Sequence, residues 1–266
     1  MPDPYDRMTQ IGIIGTGSMG SMLVRSFIES GAARPDAILA SNRTAAKLRA
    51  LAAETGIGCG RDNREVAGHA DVVFLCVRPS EVKDVLSELQ DELSPEKLLV
   101  SIAAGVLLED LQAWTKARVV RVIPALTSEV LRGASLVAFG DRATPSDRET
   151  VLSLLNAIGR AVEVGEEDFE ALTLLTSCGP AFVAALMEEM AAAVVRQGGV
   201  RPDLAELLVK ETLIGTAGLL EGTDFGHLIA RVATPGGITE KGVAVIREMG
   251  PGMFDGMMRA ALGKGE

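Results

Sequence analysis

The sequence predicts an α/β N-terminal domain with a mainly parallel sheet, followed by an all-α C-terminal domain, and three observations carry that prediction. From Ile11 to about Gly165, short apolar runs alternate with amphipathic segments. The runs are apolar from end to end, as strands of a parallel sheet covered on both faces must be. After Gly165 the alternation stops and only long helical patterns remain. The boundary therefore falls at Val164, giving domains 1–164 and 165–266.

The strands read in order as "IGIIG", "AILAS", "DVVFLCV", "KLLVSIA" and "ARVVRVI", with helical patterns at 19–29 and 45–54 between the first three. Two more strand candidates, "ASLVAFG" and "RAVEVG", flank a helix at 146–157 and extend the sheet beyond its first five strands. In the second domain one long helical pattern spans 167–197, interrupted at "SCGPAF", and others follow at 202–221 and 238–249. This domain is alanine-rich and largely apolar along its longest helix, more so than about a hundred residues can hide alone. Association of two or more copies through these helices is the natural expectation.

Composition narrows the function classes. A formal net charge of -10 and the lack of any Lys/Arg block argue against a nucleic-acid partner. Cys59, Cys76 and Cys178 are odd in number and lack metal-ligand spacing, so reduced thiols and no metal site are expected. The opening MPDPYDRMTQ carries acidic and polar residues where a secretory leader needs basic and then apolar ones. The stretch "AFVAALMEEMAAAVV" is broken by Glu188 and Glu189, which argues against a membrane span. A cytoplasmic protein with no membrane partner is expected.

Chemistry enters with "IGIIGTGSMG". Gly15, Gly17 and Gly20 stand in G-x-G-x-x-G spacing after an apolar strand and at the opening of a helix. The first allows a tight turn, the second a close approach of backbone to a pyrophosphate, and the third close packing of helix on strand. Thr16, Ser18 and Met19 complete the loop, and N–H groups at the helix start attract an anion. The first domain is thus of Rossmann type and binds a dinucleotide, the other reading being a glycine-rich turn without ligand. At the end of the second strand, where an NAD site carries an acid, Ser41, Asn42, Arg43 and Thr44 offer hydroxyl, amide and guanidinium donors and no carboxylate. That favours NADP(H), although Arg43 also fits a solvated residue before a helix. Val77, Arg78 and Pro79, with Ala103 and Ala104, end later strands and are placed to line the nicotinamide half. Arg78 equally fits an ordinary loop cation.

A second motif, "ATPGGITEKG", lies near the C-terminus. Thr234 and Pro235 fit a helix N-cap and first helical residue. Gly236 and Gly237 do not fit a helix interior, where each costs about 1 kcal/mol. What they offer is bare backbone whose N–H groups can hold a small carboxylate, with the Thr239 hydroxyl placed to reach a nitrogen beside the reacting carbon. A small amino or imino acid is the expected ligand. His69 and His227 lie outside every motif, so no histidine base is expected.

Taken in order, "IGIIGTGSMG", "SNRT", "CVRPSEV", "SIAAGV", "RVIP", "SCGPAF" and "TPGGITEKG" resemble the Δ1-pyrroline-5-carboxylate reductases, over nearly the whole chain. The resemblance implies NADPH-dependent reduction of a cyclic imine, a Rossmann domain, and a helical dimerisation domain that forms dimers or larger homo-oligomers. It implies that Thr234, Pro235, Gly236 and Gly237 hold the substrate carboxylate and that Thr239 contacts the ring nitrogen, with Cys178 beside the substrate. Two segments depart from the family pattern: Ala125, Leu126 and Thr127 replace Asn-Thr-Pro after Pro124, and Thr176, Ser177 and Cys178 replace Ser-Gly-Ser. Both departures resemble a competence-associated branch of the family, where an NADP-binding regulatory protein with weak turnover is the alternative. A β-hydroxyacid dehydrogenase is a third reading, but 167–197 holds no lysine to serve as its base.

Overall fold

The computed structural model describes residues 9–263, so the MPDPYDRM segment behind the expectation of no leader lies outside them. The chain forms two compact units divided between Ser177 and Cys178.

The first unit runs β1 (Ile11–Ile14), α1 (Ser18–Glu29), β2 (Ile38–Ser41), α2 (Ala45–Thr55), β3 (Gly58–Cys59), α3 (Asn63–His69), β4 (Val72–Leu75) and α4 (Val82–Glu88). It continues through β5 (Leu98–Ser101), α5 (Leu108–Trp114), β6 (Arg118–Ile123), β7 (Gly133–Phe139), α6 (Pro145–Ala157), β8 (Gly159–Glu163) and α7 (Phe169–Thr176). One eight-stranded sheet has the order β3-β2-β1-β4-β5-β6-β7-β8. Every neighbouring pair is parallel except β6 and β7. The seven expected strands are all present. The order reverses between β1 and β4, which opens a crevice at their carboxyl ends.

Strand alternation sends the apolar residues to two cores. Ile11 and Ile13 of β1 join Phe74 of β4 and Phe27 of α1 on one face, with Phe27 and Phe74 ring centroids 5.4 Å apart. Ile14, Val73 and Leu75 join Leu86 and Leu99 on the other. Each side chain so buried contributes about 1.5–3 kcal/mol. Helix α6 starts where the sequence dictates, with Pro145 in its first turn and Thr144 and Asp147 capping each other reciprocally.

The strands end at Glu163, and Val164 N–H still bonds Val137 O at 3.0 Å. The compact unit nevertheless runs to Ser177, because Phe169 of α7 packs with Ile123, Leu136 and Ala138.

The second unit is helical: α8 (Gly179–Gly198), α9 (Pro202–Leu220), α10 (Phe225–Val232) and α11 (Ile238–Ala261). Helix α11 passes the expected end at Met249 and runs through Pro251. The flanking Gly250 and Gly252 carry no side chains to crowd the turn around the ring. Ala205 and Gly250 are the only buried residues of this unit among those described. Its helices present Ile214, Ile246 and Met249, all more than 60 % exposed. The run Glu166–Gly198 is long and apolar enough, by length and composition alone, to cross a membrane, at mean hydropathy 1.5.

Candidate active site

At the crevice between β1 and β4, the glycine loop has the geometry its spacing requires. Gly15 sits at φ +98°, and a Cβ there would lie 2.6 Å from Cys76 O. A Cβ on Gly20 would lie 2.0 Å from Gly15 O, so helix α1 and the turn can approach only without side chains. Gly17 has nothing within 4 Å of its Cβ position and faces open space. No side chain caps α1 and no acid stands in its first turn, which leaves its positive end for an anion. Thr16 points the same way: its hydroxyl is buried and has no hydrogen-bond partner among the described residues. An unpartnered buried hydroxyl beside a bare helix start fits a phosphate oxygen.

A cleft of about 640 Å³ extends from this loop and brings together Gly15, Thr16, Gly17, Asn42, Arg43 and Thr44 with Val77 and Arg78. The remaining expected residues of this half, Ser18, Met19, Gly20, Ser41, Pro79, Ala103 and Ala104, are not among those that line it. Met19 turns its side chain into the first core, and Gly20 is buried, so both act through backbone. Ser18 is exposed at the start of α1. Ser41 is buried, and its hydroxyl donates to Asn63 Oδ1 at 2.7 Å. Pro79 opens a 3₁₀ turn that leads into α4. In the loop after β5, Ala103 is buried and Ala104 exposed.

Cys76 lies in the same wall, where burial pushes its thiol up to about 12. The sequence reading missed Lys47, Asn63, Glu81, Asp84 and Glu88, which also line the cleft. Lys47 lies one helical turn beyond Arg43, a signal that was available. The others come from α3 and the α4 region, short elements that only tertiary structure brings to β2.

In the second unit, Thr234 to Gly237 form a turn closed by Gly237 N–H to Thr234 O at 2.9 Å, with Gly236 at φ +74°. The helix cap is Gly237, so Thr234 and Pro235 precede the helix and are not its cap and first residue. The expectation that the glycine N–H groups stand free is corrected. Gly236 N–H donates to Glu240 Oε2 at 2.8 Å, and Gly237 N–H is used in the turn. Helix α11 begins at Ile238 with no side-chain cap, which puts Thr239, half-buried, in its first turn. Cys178 is the cap of α8 and is partly buried. In the altered segment after β6, Ala125 is fully buried and Leu126 is exposed at the start of a 3₁₀ turn. His69 and His227 are exposed and line neither feature. No cluster of metal-ligating side chains occurs among the described residues.

Known proteins match both units. Residues 10–105 match the family described as NADP oxidoreductase, coenzyme F420-dependent. Residues 166–266 match the family described as pyrroline-5-carboxylate reductase dimerisation. A pyrroline-5-carboxylate reductase of Methanosarcina acetivorans is 38% identical, over 91% of this chain and 90% of its own. ComE operon protein 4 of Bacillus subtilis is 32% identical over 92% and 91%. Among solved structures, a pyrroline-5-carboxylate reductase from Coxiella burnetii superposes with a TM-score of 0.90 at 30% identity, covering 96% of this chain and 97% of that one.

Proposed function

Because the chain belongs to the pyrroline-5-carboxylate reductase family, we propose that it reduces the C=N bond of 1-pyrroline-5-carboxylate, or of a closely related cyclic imino acid, to L-proline or its analogue at the expense of NADPH. The observation that carries this reading is the cleft at the β1–β4 switch point. It joins a bare helix start, an orphaned buried Thr16 hydroxyl and a post-β2 loop without carboxylates.

The cofactor, when bound, supplies the hydride that the imine carbon accepts. Residues 15–20 would hold its pyrophosphate through N–H groups at the start of α1 and the Thr16 hydroxyl, the Gly15 N–H itself being donated to Ser41 O, and Ser41 to Thr44 would meet the 2′-phosphate. Val77, Arg78, Pro79, Ala103 and Ala104 border the nicotinamide half. Thr234, Pro235, Gly236 and Gly237, with Cys178, surround the substrate carboxylate, and Thr239 orients the ring nitrogen. With the Gly236 and Gly237 N–H groups engaged, the N–H groups of the first turn of α11, which no side chain caps, are the donors to that carboxylate. A protonated imine already carries positive charge, so positioning matters more than a strong acid or base. We assign 1–164 to cofactor binding and 165–266 to substrate binding and assembly. A homodimer or larger homo-oligomer accords with the near absence of burial in the second unit, and we place it in the cytoplasm.

NADPH absorbance tests the reading directly. Rapid oxidation with pyrroline-5-carboxylate, slower with NADH in its place, is the expected result. Intact NADPH binding without turnover on five- or six-membered imino acids would instead favour a cofactor-binding protein without this chemistry. The apolar Ala125–Leu126 pair and the similarity to ComE operon protein 4 are what favour that second reading.

A further inference from the structure

The cation assigned to the 2′-phosphate already holds an anion. Arg43 follows β2 on the cleft wall with its side chain 80% exposed, and its Nη1 lies 2.6 Å from Glu81 Oε1. Glu81 is not a loose surface carboxylate. Its side chain is 27% exposed, and its other oxygen accepts the Arg78 N–H at 3.2 Å, closing the 3₁₀ turn that follows β4. One oxygen is thereby fixed to the turn while the second faces the guanidinium. Both residues line the same cleft, together with the carboxylates of Asp84 and Glu88 and the cations of Lys47 and Arg78. A ribose 2′-phosphate bringing close to two negative charges meets a guanidinium already paired, and a carboxylate held in place beside it.

We propose that Glu81 is a specificity-determining residue of the cofactor site: its carboxylate competes with the 2′-phosphate for Arg43 and so compresses the preference for NADPH over NADH. The proposal rests on the reading of Arg43 as the 2′-phosphate ligand. It follows from the pairing that removing the Glu81 charge penalises no part of NADH, which carries no 2′-phosphate. It frees Arg43 for NADPH and removes a like charge beside the phosphate. An exposed ion pair and one screened like charge together set the scale at roughly three- to tenfold in affinity.

Glu81→Gln is the discriminating variant, because the amide oxygen still accepts the Arg78 N–H and the 3₁₀ turn keeps its closure. Binding is measured by calorimetry on the full-length protein with four ligands: NADPH, NADH, 2′,5′-ADP and 5′-AMP. The expected result is a roughly three- to tenfold tighter Kd for NADPH and 2′,5′-ADP, with NADH and 5′-AMP shifted less than twofold. In the Arg43→Ala background the Glu81→Gln gain should shrink, since the competed-for group is gone. Asp84→Asn makes the same charge change in the same cleft without touching Arg43, and it should not reproduce the selective gain. Equal shifts for all four ligands, weaker NADPH binding, or an identical selective gain from Asp84→Asn would each overturn the role of Glu81. Arg43→Ala separates the two readings. If it weakens NADPH selectively while Glu81→Gln does nothing, only the Glu81 proposal falls; if it weakens NADPH and NADH alike, the assignment of Arg43 falls, and the proposal with it.

Discussion

Thr239 stands in the first turn of α11, half-buried and beyond a proline-glycine turn. In the proposed function its hydroxyl contacts the substrate and not the cofactor, so Thr239→Ala should lower kcat by about 10²-fold while the NADPH Kd stays within twofold. Stopped-flow kinetics beside equilibrium titration separates the two, and a parallel loss of both would remove Thr239 from substrate contact. Cys76 gives a prediction of a different kind. Burial raises its thiol pKa to about 12 from the usual 9.0, so it stays protonated in the folded protein where the unfolded chain would ionise. The stabilisation that follows is complete below pH 9 and is lost as pH rises from 9 towards 12. Iodoacetamide at pH 8 should therefore label exposed Cys59 well before Cys76, as peptide mapping by mass spectrometry would show. Gly15 and Gly20 were legible in the sequence because a Cβ at either position collides with backbone. Glu81 was not legible, since its meaning depends on Arg43, a partner thirty-eight residues away that only the sheet order brings near.

Among the elements, the passage from the sheet to α7 is held by an ion pair. Arg121 of β6 is nearly buried; its Nη1 donates to Glu166 Oε1 at 2.7 Å, and its guanidinium lies 4.7 Å from the Phe169 ring centroid. The same Glu166 oxygen accepts the Leu108 N–H at 2.8 Å, so one carboxylate ties β6 to the start of α5. Glu166→Ala would leave the Arg121 charge without its partner, at a cost of about 3 kcal/mol. Thermal denaturation should show a fall in Tm of roughly 6–12 °C for a unit of this size, and Glu166→Gln, which keeps an acceptor, should lose less. A change under 1 °C for Glu166→Ala would mean that the pair contributes nothing net. Long, strongly patterned elements such as β6, β7 and α8 could be read from the sequence. The seven-residue helices α3, α4 and α5 could not, because two turns hold too few apolar positions to establish a period. The continuation of α11 through Pro251 was hidden for another reason: a proline argues for a stop, yet the helix runs on past it to Ala261.

On the scale of the whole molecule, the contrast between the units is the dominant fact. The first has two cores of fully buried side chains, while in the second only Ala205 and Gly250 are buried among the described residues. Between α8 and α9 runs an apolar groove of about 890 Å³, with Ala184, Ala191, Ala192 and Leu213 among its lining residues. Small side chains leave room there for another helix. Ala191→Arg fills that space with a charge and should shift the assembly towards monomer, read by light scattering as a mass near 27.9 kDa in place of a multiple of it. A multimer unchanged by that substitution would put the interface elsewhere on these helices. The change from alternating strands and helices to helices alone was legible in the sequence, but the extent of exposure in the second unit was not, because alanine-rich helices look the same whether they pack within one chain or between two.

Under the proposed association, that sparse burial would make dilution a thermodynamic variable for this protein. A unit whose apolar faces are covered only by another copy obeys mass action: each tenfold increase in protomer concentration favours the associated, folded state by about 1.4 kcal/mol of dimerisation free energy. Its urea midpoint should climb as the sample is concentrated, while the sheet of the first unit, with its own cores, should denature at a midpoint that ignores concentration. The same chain would thus hold one region whose stability is fixed by its sequence and another whose stability is set by how much of the protein the cell makes.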